Sequence, residues 1–136
     1  MGNLAATYGD QGRWAEAEKL EVQVVEMLSH ILGEEHPATL TNMSNLAITY
    51  RHQSRLTEAE ALQLQVTETS TRVLGTDHPA TLVYMVNLAH TWRSQQRDEE
   101  AMALMQRVVD LQIETRGSDH PRSVQSLATL NQWRGQ

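Results

Sequence analysis

Six histidines and 17 carboxylates are the residues of this chain that could bind a metal or move protons, and their spacing argues against both. His36, His78 and His120 each precede a proline and recur every 42 residues. Residues a whole repeat apart cannot gather around one ion, whose ligands must lie about 2 Å from it. A place at the start of a helix is the expectation instead, with Glu35, Asp77 and Asp119 complementing the helix dipole. Glu58, Glu60 and the run Asp98-Glu99-Glu100 also stand where helices begin, so the dipole accounts for them better than paired-carboxylate catalysis does. Neither a glycine-rich phosphate loop nor a serine in a nucleophile elbow is present. The chain has no cysteine, which rules out a disulfide framework and a thiolate metal site. These residues predict no enzyme, no metal and no cofactor.

The elements that must position these side chains follow from a period. Asn-Leu-Ala occurs at 3–5, 45–47 and 87–89, and the same step of 42 links Ala17, Ala59 and Ala101. Residues 34–75 and 76–117 align without gaps, with close to half of the positions identical. A fixed period of this size marks a stacked array of one supersecondary unit, which binds partners along an extended surface. Within a unit the apolar spacing is helical. Leu40, Met43, Ala47 and Tyr50 form one stripe, and Ala59, Leu62, Val66 and Val73 a second. Pro37, Pro79 and Pro121 suit first helical turns, and Gly33, Gly75 and Gly117 suit left-handed C-terminal caps. Each unit is expected to be a helical hairpin, with helix A over 37–53 and helix B over 56–74. The short polar turns between them hold Arg13, Arg55 and Arg97, a solvated or salt-bridging row.

The fold class expected is all-α: a right-handed superhelical solenoid of antiparallel hairpins with about three and a half repeats and seven helices. Its divisions are 1–33 (a truncated first repeat), 34–75, 76–117 and 118–136, the last a capping helix. Thr129, Asn131 and Arg134 replace Asn87, Ala89 and Trp92 there, which reads as a natural end of the array. The truncated N-terminal face is expected to expose apolar surface, where the chain either continues a longer array or meets another copy.

A net charge of −6 argues against general nucleic-acid binding, which needs a basic surface. The longest apolar runs are far short of a membrane span, and the start lacks a signal peptide's basic and apolar regions. A cytoplasmic protein is the expectation.

The pattern Met43, Leu46-Ala47, Tyr50 and Ala59, repeated as Met85, Leu88-Ala89, Trp92 and Ala101, resembles the tetratricopeptide repeat. The 42-residue period and the linkers Leu32-Gly33-Glu34-Glu35-His36-Pro37 and Leu74-Gly75-Thr76-Asp77-His78-Pro79 are similar to its kinesin light chain subclass. Phrases such as 6–14, 33–37 and 126–131 resemble arrays in fungal NOD-like NTPase proteins, implying a sensor or scaffold segment. A cargo-adaptor role is the kinesin light chain-like alternative, and self-association through the open N-terminal face is another.

Beside the packed stripe of each A helix runs a second face. Thr41, Ser44, Asn45, Ile48 and His52 share it at helical spacing, with Arg51 beside them. The next unit supplies Val83, Val86, Asn87, His90, Arg93 and Ser94; the first supplies Gly2, Asn3 and Ala6, and the last Gln125, Ala128 and Gln132. The row expected to bind a peptide is Asn3, Ser44, Asn45, Ile48, Arg51, His52, Val86, Asn87, His90 and Arg93. Amides at Asn3, Asn45 and Asn87 can hold an extended backbone through donor and acceptor together. The resemblance implies the same, since this position lines the groove in that family; alternatively the asparagines tie neighbouring helices together. Arg51, Arg93, His52 and His90 make the row locally positive, which favours an acidic extended segment. The two arginines also stand near helix C-termini, where cations are favoured anyway. Ser44 and Val86 occupy positions where the family's chaperone-binding carboxylate clamp has lysine, so that clamp is absent.

Overall fold

Helix starts are built by an uncommon cap. In the computed structural model, which describes residues 14–135, His36, His78 and His120 are N-cap residues with extended backbone. Each imidazole Nδ1 accepts from the backbone N–H two residues on, at Ala38 (3.1 Å), Ala80 (3.0 Å) and Arg122 (3.2 Å). The ring nitrogen thus does what a serine or aspartate oxygen usually does for an orphan N–H. Proline follows at the first helical position, where its missing N–H costs nothing. The helix-start role expected for these histidines is therefore their observed one.

Six helices are present among the described residues: α1 (Trp14–Ile31), α2 (Pro37–His52), α3 (Leu56–Leu74), α4 (Pro79–Ser94), α5 (Asp98–Arg116) and α6 (Pro121–Arg134). The expected short first helix A, with Asn3 on it, lies outside the described residues. The chain divides into two compact units, Met1–Val73 and Leu74–Gln136, a division close to the repeat boundary at 75/76. In the first unit α1 packs on α2; in the second α5 packs on both α4 and α6. No helix of the described residues is long and apolar enough to cross a membrane.

The A–B turns repeat in atomic detail. Ser54 and Gln96 take positive φ (62° and 64°), the conformation that reverses the chain. Gly12 stands at the same place in the first repeat, outside the described residues. The next residue is the arginine of the turn series. Arg55 forks onto Glu58 through Nε (2.8 Å) and Nη2 (2.5 Å), reaches Glu18 at 2.6 Å, and lies 4.5 Å over the Tyr50 ring. Arg97 forks onto Glu100 at 2.9 and 2.7 Å and lies 5.0 Å over Trp92. The fork to Arg55 holds the Glu58 carboxyl below its ordinary range. Salt bridging, one of the two readings of this row, holds at Arg55 and Arg97; Arg13 lies outside the described residues.

Most of the packed stripe of helix A is buried, through Leu40, Met43 and Ala47 in α2 and Leu82, Met85 and Ala89 in α4, whereas Tyr50 and its equivalent Trp92 are only half-buried. That of helix B differs. The buried residues of α3 are Ala59, Gln63, Val66 and Ser70, while Val73 is 44% exposed. Val73 lies on the same helical face as Val66 and Ser70 but is not enclosed. Ile31, the equivalent residue of α1, is likewise exposed, at 67%.

The expected left-handed glycine caps need one refinement. Gly117, which ends α5, has φ 89° and ψ 158°, an extended positive-φ conformation essentially reserved for glycine.

A polar pair is built into the first unit. The Thr49 hydroxyl, from α2, donates to the carboxylate of Glu21 in α1. Burial pushes the Glu21 carboxyl up from its ordinary value, against a smaller downward pull from that hydrogen bond. In the folded state the proton is therefore held more tightly than in the unfolded chain. The stability this group contributes is full below its unfolded pKa and is lost as pH rises through the raised folded one. Glu21→Gln keeps an acceptor for Thr49 and removes the charge, and glutamine already occupies the equivalent position 63. The expected result is a melting temperature raised by a few degrees at pH 7 and unchanged near pH 4, read by circular dichroism melts at both.

Candidate functional site

The second face of each A helix is positioned by the burial of the first. In α2, Leu40, Met43 and Ala47 go inward, so Asn45, Ile48 and Arg51 sit half-buried at its edge and His52 is exposed. Ser44, expected on the binding row, is only 6% exposed. His52 stacks on Trp14 with ring centroids 4.4 Å apart and planes 6° from parallel. Burial pushes the Arg51 guanidinium down from its ordinary value, and among the described residues it makes no ion pair. A partly desolvated cation of this kind gains most from an incoming carboxylate.

The second unit has a cavity on this face, with a volume of about 170 Å³. From α4 come Val83, Val86 and His90, and from α6 come Arg122, Gln125, Ser126 and Thr129. The floor is α5, through Met105 and Gln112. Val86 and His90 belong to the expected row, and Val83 and Gln125 to the same face of their helices. Asn87 and Arg93 are half-buried and do not line this cavity. His90 meets Trp133 edge to face at 5.1 Å, and the Arg93 guanidinium lies 4.9 Å over the same indole. Arg93 also lines a second hollow of about 310 Å³ with Asp98, Met102, Trp133 and Arg134.

Sequence reasoning missed Met105, Gln112, Arg122, Ser126 and Thr129 as lining residues. Met105 and Gln112 reach the cavity from a B helix, which had been given only a packing role. One signal was present: Gln112 falls at the position of Leu28 and Ser70, where a long amide is out of keeping with a buried stripe. Its side chain is 4% exposed, and its Oε1 has no hydrogen-bond partner. The described residues hold no group of three or more His, Asp or Glu arranged to take a metal ion. What the arrangement offers is recognition chemistry: amides, hydroxyls and guanidinium groups beside small apolar walls.

The tetratricopeptide repeat family matches at residues 1–69 and 43–114. A solved structure from Podosopora anserina, described as a kinesin light chain with nearly identical TPR-like repeats, is similar at 33% identity and TM-score 0.86. The match covers 99% of this chain and 65% of that one. A point variant of the same protein matches at 32% identity and TM-score 0.85, over the same shares. BtubC (BKLC) from P. vanneervenii shares the fold at TM-score 0.79 and 20% identity, over 97% of this chain and 54% of that one. No curated protein matches. This chain thus spans less than two thirds of the length of the solved relatives. On the repeat match and the helical hairpins together, the chain belongs to the tetratricopeptide repeat family, and its repeats are of the kinesin light chain-like kind.

Proposed function

We propose that this chain is a non-catalytic scaffold that binds an extended protein or peptide segment along the second face of its A helices. The observation that carries the reading is the cavity of the second unit, which opens on the expected row at Val86 and His90. The chemistry of the rest of the row supports an acidic segment. Arg51 is partly desolvated without an ion-pair partner among the described residues, and Arg122 stands beside the cavity. Asn45 and Asn87, half-buried at equivalent positions, are suited to the partner's backbone. A cytoplasmic setting and a cargo-adaptor role accord with the kinesin light chain-like repeats. The further likeness to arrays of fungal NOD-like NTPase proteins rests on sequence phrases alone, and would make this chain a sensing segment of a larger protein.

The test is selection of a short random peptide library on the folded chain. Peptides enriched in Asp and Glu are expected, bound more weakly as salt is raised. Replacing Asn45 and Asn87 with alanine and Arg51 and Arg93 with glutamine should weaken them by about tenfold or more while the helical circular dichroism spectrum persists. Unchanged binding by that variant would sink the assignment of the row.

Self-association is a second reading, favoured by one observation on α6. Val124 and Leu127 are 53% and 39% exposed, whereas their repeat equivalents Leu82 and Met85 are 2% and 5% exposed. Light scattering decides it: a strict monomer at high concentration removes this reading.

A further inference from the structure

We infer that the open apolar face of α6 docks on α1 of a second copy of this chain, so that copies join head to tail. The docking rests on the self-association reading above and adds which two faces meet and in what register.

A helix pair already present in the second unit supplies the template. Leu82 and Met85 of α4 are buried against Val108 of α5, with Leu104 and Leu111 packed beside it. Their counterparts on α6, 42 residues on, are Val124 and Leu127. Those two are 53% and 39% exposed, because α6 turns Leu130 and Trp133 to α5 and leaves this face open. Single exposed apolar side chains are ordinary on a protein surface. Two that share one helix face, at positions buried elsewhere in the same array, mark a packing face without its cover.

The occupant follows from what α5 presents to α4. Leu104, Val108 and Leu111 stand at i, i+4 and i+7, and α1 repeats them as Leu20, Val24 and Met27. Met27 is 57% exposed, Ile31 one turn further along is 67% exposed, and Val24 is half-buried. The equivalent face of α3 is closed: its Val66 is 1% exposed, and Thr69 stands in place of Met27. That of α5 is held by α4. Among the described B helices, α1 is the one that combines the apolar triad with an open surface.

Charge agrees with this choice and sets the direction. α6 carries Arg122 and Arg134 and no carboxylate, so two α6 faces brought together would oppose like charges. On α1, Glu18 is engaged by Arg55 and Glu21 is half-buried, but Glu16 and Glu26 are exposed. Glu16 lies one turn before Leu20 on the apolar stripe, and Arg134 lies two turns beyond Leu127 on the face of α6. In the α4–α5 template the same two positions are Glu100 and Trp92, which Arg97 links by forking onto one and lying over the other. A docked α1 in that antiparallel register therefore brings Glu16 to Arg134 while Met27 meets Val124.

The experiment mixes two variants of the whole chain. Met27→Glu with Ile31→Glu disables the α1 face, and Val124→Glu with Leu127→Glu disables the α6 face. These side chains are exposed, so each variant should keep the wild-type helical circular dichroism spectrum. Sedimentation velocity is expected to show the wild-type chain associating as its concentration rises. Each variant alone should sediment as a monomer, its association weakened by about tenfold or more. An equimolar mixture should form one-to-one pairs, because each variant retains the face that the other lacks. Association that survives in the α1 variant, or a mixture that stays monomeric, would overturn the docking on α1 and leave self-association through α6 standing. A wild-type chain that stays monomeric would overturn self-association as well and leave the groove reading untouched.

Discussion

Replacing Trp133 with alanine is expected to remove roughly 3–5 kcal/mol from the second unit, the range for deleting a large aromatic from a packed core. Trp133 is 7% exposed and belongs to the cluster of Ala89, Ala101, Met105, Val109 and Leu130. Its loss opens a void there and also takes away the ring that His90 and Arg93 rest on. Two effects should follow together. The α6 and α5 amides lose hydrogen-exchange protection, and peptide binding at the His90 cavity weakens. Stability in a repeat array is a sum of local and nearest-neighbour contributions. The amides of α1 and α2 should therefore keep their protection. Uniform loss through all helices would show that the chain unfolds as one cooperative block, contrary to this expectation.

The second large effect comes from moving a residue between repeats. Met105 occupies the repeat position that Glu21 holds in the first unit, so Met105→Glu copies a residue the array already tolerates. It should nonetheless cost about 3–5 kcal/mol, the penalty for a buried charge without a partner. Glu21 is only half-buried and receives the Thr49 hydroxyl. Met105 is fully buried, and the residue at the position of Thr49 is Trp133, whose indole packs in the same cluster. The new carboxyl would have its pKa raised by burial. Its penalty should shrink on acidification, where the neutral form is accepted, and grow as pH rises through that value. Thermal melts of the variant at pH 4 and pH 7 check both the size and the sign. A variant as stable as the wild type at pH 7 would mean that Met105 is less enclosed than described.

Both predictions show which information is local and which is not. The helix limits were legible because their signals lie within a few residues of one another. His-Pro marks the start of each A helix, a glycine each linker, and the observed α2 and α3 (Pro37–His52 and Leu56–Leu74) fall within one residue of the expected 37–53 and 56–74. The small alanines were legible too: Ala47, Ala59, Ala89 and Ala101 are all fully buried. Helical geometry places the row beside the packed stripe on one face, and two of its members, Val86 and His90, line the cavity of the second unit. Ser44 was expected on that row and is buried. Gln63, Ser70 and Gln112 are polar residues on faces read as apolar or left unread.

The amino-acid sequence by itself determined the repeat, the helical hairpins, their caps and the family to which they belong. Those features arise from capping, turn conformation and the 3.6-residue period, all short-range. Only the tertiary structure decided which polar side chains are enclosed and where a cavity opens. Enclosure depends on what faces a residue from another helix. Glu21 is answered by Thr49, 28 positions along the chain, whereas Met105 shares its cluster with Trp133. The same distant accounting leaves Gln112 without a partner, at the floor of a cavity whose walls come from α4 and α6.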